Sequence, residues 1–131
     1  MKANYFVKYW ILIIIYMGFI YYLSSLSNPV EQVIPNRALV YFNFELFVYH
    51  IIEYLILSFL FYRALKTTTK NPQTLAILFS IVFAITDEFH QFYVSGRVSS
   101  VFDVAVDSFG VILMQSIINV YEWIRNNNKL E

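Results

Sequence analysis

The segment Asp87-Glu88-Phe89-His90-Gln91, followed by Gly96-Arg97, Asp103, Asp107 and Gly110, sets four carboxylates, a histidine and an arginine into apolar sequence. Ionisable groups cost several kcal/mol in hydrocarbon, so they are rare there and usually serve a site. Their spacing is helical: Asp87 and His90 are i,i+3, Asp87 and Gln91 are i,i+4, and Asp103, Asp107 and Gly110 share one stripe. An upstream pair, His50 and Glu53, is also i,i+3. Asp103 and Asp107, one turn apart, cannot both stay ionised in a low dielectric without help. Three arrangements relieve the excess charge. The carboxylates can hold a divalent metal, with Mg²⁺, Ca²⁺ or Mn²⁺ favoured by ligand hardness and iron admitted by the histidines. They can share protons with His50 and His90, or Arg97 can neutralise them until an anionic substrate competes for it. Gly110 lets a second helix approach closely. Glu45 reads as an interfacial charge outside the site, and Glu88, about 100° away from Asp87, either snorkels or pairs with a neighbouring helix.

These groups need elements to position them, and the composition says which. Of 131 residues, 59% are hydrophobic and only 14% charged, where a soluble domain carries about a quarter charged. Four apolar stretches, 5–26, 41–62, 73–93 and 99–123, each approach or exceed the roughly 20 residues that cross a bilayer core. The expected fold is therefore an all-α, integral membrane bundle of four transmembrane helices in a single domain spanning 1–131. Continuous apolar runs of this length do not alternate as barrel strands do. Asn28-Pro29 and Pro35-Asn36 punctuate the first connection, the stretch ending Asn71-Pro72 the second, and Ser95-Gly96-Arg97 makes the third a tight hairpin. Pro72 suits the first position of a helix. The tail Asn126-Asn127-Asn128 reads as unstructured, and the tyrosines and phenylalanines read as interface belts and lipid-facing packing. The chain has no cysteine, so thiolate metal sites and disulfides are excluded. Zero net charge without a basic run argues against nucleic acid as a partner.

Lys2, Lys8, Arg63, Lys66, Lys70, Arg125 and Lys129 flank one side of the expected spans, and only Arg37 and Arg97 the other. The basic side is normally cytoplasmic, so both termini are expected there and the Arg97 hairpin outside. The first apolar run is longer than a signal-peptide core and lacks an Ala-x-Ala ending, which argues for a retained span. At about 1.5 Å per helical residue, His50, Glu53, Asp87, His90, Asp103 and Asp107 all fall in the outward half. A charged pocket facing the extracytoplasmic side follows as an expectation.

Asp87-Glu88-x-His90-Gln91-x-x-x-x-Gly96-Arg97, then Asp103-x-x-x-Asp107-x-x-Gly110, with His50-x-x-Glu53-Tyr54 and Ser24-Ser25, resembles the VanZ-like membrane protein family over nearly the whole chain. Ser95 stands where many relatives have proline. The resemblance implies a small multi-pass protein of the bacterial cell envelope, with a role in tolerance to the glycopeptide teicoplanin. It supplies no reaction.

Three functions compete. One is an enzyme acting on a lipid-linked, phosphate-containing envelope precursor. Asp87, His90, Asp103, Asp107, His50 and Glu53 then carry catalysis, and Arg97, Gln91, Ser24 and Ser25 bind substrate. The second is a non-enzymatic protein that binds or shields a lipid head group or antibiotic target, with Arg97 and the acids recognising rather than transforming it. A proton- or cation-coupled transporter is the third, less favoured because four helices are few for alternating access.

Overall fold

The structure, a computed structural model, describes residues 2–26, 44–97 and 99–128. Four helices make it up: α1 Lys2–Ser24, α2 Phe44–Leu65, α3 Pro72–Gln91 and α4 Val101–Asn127. Each is long and apolar enough to cross a membrane. The first connection, with Arg37 and the start expected for the second span at 41–43, lies outside the described residues.

Local chemistry explains most of the boundaries. Pro72 occupies the first turn of α3, where its missing N–H costs nothing. Ser100 caps α4, its hydroxyl accepting the Phe102 N–H at 3.1 Å. Between α3 and α4, Gly96 takes φ 85°, a left-handed conformation that side chains resist, and Arg97 N–H closes the turn on Val94 O at 3.2 Å. Helix α3 thus stops at Gln91, two residues short of the span read from hydropathy. Helix α2 instead continues through Leu65, and α4 runs to Asn127, so Asn126 and Asn127 are helical rather than tail. No Gly or Pro interrupts that stretch, and Arg125 in the last turn complements the helix dipole.

Helix α2 is the hub, packed against all three others, whereas α1 rests mainly on α2, touches α3 lightly and, among the described residues, does not reach α4. Accordingly 39% of the apolar window of α2 is buried against the protein but only 17% of that of α1. Beside large apolar side chains such as Ile13, Ile20, Leu57 and Phe61, the interior holds many small and polar groups. Ser58, Ala64, Ser80, Ala76 and Ala84 are fully buried, while Ile14, Ile15, Phe89 and Trp123 face outward. Helices pack in lipid by close van der Waals approach, so small residues at these contacts are expected. At Gly110 the approach is tightest: a Cβ there would meet the Ile51 carbonyl oxygen at 2.5 Å. Gln115 Nε2 donates to Ser58 Oγ at 2.6 Å and ties the same two helices one turn further along.

The aromatic reading from sequence needs correction. Tyr54, Phe61 and Tyr62 are buried on α2 rather than lipid-facing, because the hub helix has no face left for lipid along that stripe.

Candidate functional site

The residues singled out by spacing gather at one end of the bundle, where α1 and α3 finish and α2 and α4 begin. Antiparallel neighbours joined by a tight turn place Asp87, Glu88, His90 and Gln91 of α3 beside Asp103 and Asp107 of α4. The start of α2 contributes His50, Glu53 and Tyr54.

Four hydrogen-bonded pairs and a ring stack define the geometry. His50 Nδ1 lies 2.9 Å from Asp107 Oδ1, joining α2 to α4. An ionised carboxylate only accepts, so beside ionised Asp107 the Nδ1 proton is the donor, and the ring's other nitrogen is the one left for chemistry. Ser24 Oγ donates to Asp87 Oδ1 at 2.7 Å, and Gln91 Nε2 donates to Asp87 Oδ2 at 3.1 Å. Ser25 Oγ sits 2.9 Å from His90 Nε2 and donates its single proton to Tyr21 O at 2.6 Å, so His90 Nε2 is the donor of that pair. The Tyr21 ring stacks on His90 with centroids 3.9 Å apart. The two serines thus do more than bond back to their own helix: they fasten the end of α1 to α3.

Arg97 takes part in the same fastening. Its Nε donates to Ser24 O at 3.3 Å and its Nη2 to Leu23 O at 3.2 Å, meeting carbonyls that end α1. A cation is favourable there. The guanidinium remains within electrostatic range of Glu53 and Asp103, so it is also the fixed counter-charge of the acids. Glu88 turns toward α4, where its Oε2 accepts the Ser100 N–H at 2.8 Å at the helix start. That places it inside the cluster, opposite the side of α3 used by Asp87.

Tyr54 stands in the motif His50-x-x-Glu53-Tyr54, which by itself assigns it no role. It is 1% exposed and lies within electrostatic range of Asp107, Asp87, Glu53 and Glu88. The available signal was its position one turn beyond His50 on the same helix face.

Among the described residues, no three His, Asp or Glu side chains come together in a group that could hold a metal ion. The acids are instead distributed over three helices, each facing a different neighbour. Chemically, the arrangement supplies an oriented imidazole, several carboxylates at graded depth and one arginine.

A family model described as VanZ/LLP1 matches residues 6–122. No curated protein and no solved structure matches the chain.

Proposed function

We propose, from the premise that the chain belongs to the VanZ/LLP1 family, that this multi-pass membrane protein acts at the outer face of the bacterial envelope on a lipid-linked, phosphate-containing precursor. Its activity would thereby bear on glycopeptide tolerance of the teicoplanin type. The excess of basic residues at the end of the bundle opposite the Arg97 hairpin supports an outward-facing site.

The observation that carries the reading is the His50–Asp107 pair inside a cluster of acids. A carboxylate that fixes the tautomer and orientation of an imidazole makes it a general acid or base. In this reading His50 moves the proton, Asp107 orients it, and Asp103 and Glu53 line the approach. Asp87, Gln91, Ser24, Ser25 and His90 hold the end of α1 in place. Arg97 offsets the negative charge and meets the substrate's phosphate. The test is to incubate the purified chain in lipid nanodiscs with a panel of lipid mono- and diphosphates. Product should form with at least one of them, and Asp107→Asn should lower turnover by about a hundredfold or more. Bound but unchanged lipid across the panel would remove the enzymatic reading.

One observation favours a binding role instead. Ser24 and Ser25, the hydroxyls of the cluster that could serve as nucleophiles, already spend their protons on Asp87 and on Tyr21 O. A protein that only engages a head group or shields an antibiotic target needs no free nucleophile. Teicoplanin susceptibility unchanged by Asp107→Asn, but altered by loss of the whole chain, would select that reading.

A further inference from the structure

The hairpin end carries more acceptors than donors. Among the side chains described there, five carboxylates (Glu53, Asp87, Glu88, Asp103 and Asp107) stand with Arg97 and two histidines. The donors are used up early: Ser24 and Gln91 satisfy Asp87, His50 serves Asp107, and the Ser100 N–H and the Ser99 side chain serve Glu88. What remains is specific. Among the described residues, Glu88 Oε1 and Tyr54 Oη are buried without a hydrogen-bond partner, in side chains 4% and 1% exposed. Buried polar atoms are almost always paired, so two orphans within electrostatic range of each other mark a missing partner. Half-buried Glu53 and Asp103 receive no side-chain hydrogen bond from any described residue, and they stand nearer to solvent as a rim.

We propose that this cluster binds a primary ammonium group, with Glu88 Oε1 and Tyr54 Oη as the buried acceptors and Glu53 and Asp103 as the half-buried ones nearer solvent. The inference deepens the reading above and rests on it only for the site being open to a ligand. An ammonium brings three N–H donors and one positive charge, matching separate single-oxygen acceptors on three helices. A metal ion would instead need several ligands converging on one point, which the described residues do not supply. A quaternary ammonium carries the same charge but donates nothing, so it would leave both orphans unsatisfied. With Arg97 in range of the rim acids, the whole site suits a zwitterion whose phosphate meets the guanidinium and whose amine reaches the acids.

The experiment compares head groups on the unmodified chain. Nanodiscs of phosphatidylcholine are doped with phosphatidylethanolamine or with phosphatidic acid, and lipid co-purifying with the protein is measured by native mass spectrometry. Soluble phosphoethanolamine and ethylamine are titrated separately, to tell a lipid-borne amine from a free one. Phosphatidylethanolamine should be retained over phosphatidylcholine by about tenfold, since a hydrogen bond to a charged group has that weight. Glu88→Gln and Tyr54→Phe should each erase most of that preference, whereas Glu122→Gln, at the opposite end, should leave it intact. Equal retention of the two zwitterionic lipids overturns the proposal, as does a preference unchanged in both Glu88→Gln and Tyr54→Phe. If phosphatidic acid is retained while neither amine is, the ammonium site falls and the lipid-phosphate reading stands. If no head group is preferred, both fall.

Discussion

His50 and Asp107 lie 2.9 Å apart on different helices, and the consequence of cutting that pair differs from the consequence of emptying it. Asp107→Asn keeps volume and one acceptor but lets the amide present N–H to the ring, so the tautomer is no longer imposed. Helix content should stay the same while any turnover collapses. Asp107→Ala leaves His50 partly buried beside an unfilled space and should also cost folding stability, roughly 1–3 kcal/mol for an abandoned polar group. Circular dichroism separates the two outcomes. Gly110→Ala is a sharper structural test. The added methyl meets a backbone carbonyl at 2.5 Å, which cannot swing aside as a side chain would. We expect about 1–3 kcal/mol of destabilisation, read as a lower thermal midpoint in detergent. The opposite end gives a contrast. Lys66 Nζ reaches Glu122 Oε1 at 2.6 Å, and hydrogen bonds to Glu122 and Tyr62 push its ammonium above the usual lysine range. The stability this adds is complete below the ordinary lysine value and lost as pH rises through the raised one. The pair is largely exposed, so Lys66→Met should cost less than about 1 kcal/mol near neutrality, and that difference should vanish at high pH.

At the scale of elements, α1 is the helix with least holding it. It lies against α2 with Tyr16 Oη donating to Glu53 O at 3.2 Å, and its far end is secured by Ser24, Ser25 and Arg97 rather than by extensive apolar packing. Removing the clasp should therefore free α1 before anything else loosens. Arg97→Gln forfeits the charge at the end of α1 while keeping a donor. Ser24→Ala leaves Asp87 dependent on Gln91 alone. Together they should raise amide hydrogen exchange in the last turn of α1, with α2 and α4 protected as before. Uniform loss of protection across all four helices would show that the clasp supports the whole bundle instead. The same weak seam matters for access. A lipid reaching the acids laterally would pass between α1 and α3, which touch only lightly.

For the whole molecule, the open test is which way the bundle sits in the bilayer. Because the chain has no cysteine, single cysteines report orientation without background. Ser95→Cys, in the α3–α4 hairpin, should be labelled by a membrane-impermeant maleimide added to intact cells. Asn126→Cys, near the end of α4, should react only after lysis. The reverse pattern would place the acids on the cytoplasmic side and remove the link to an outer-face precursor.

Length, composition and local punctuation were enough to establish four spans, a short α3–α4 turn and the meeting of the polar residues at one end. These follow from the rise per residue and from the cost of charge in oil, both properties of a chain read one helix at a time. Partner choice was a different matter. That Asp107 pairs with His50, that Ser24 serves Asp87, that Arg97 reaches the carbonyls of α1, and that Tyr54 is interior all depend on how each helix is rotated about its own axis. Rotation is settled by contacts distant in sequence, such as Gly110 against Ile51, so only the packed structure could assign it.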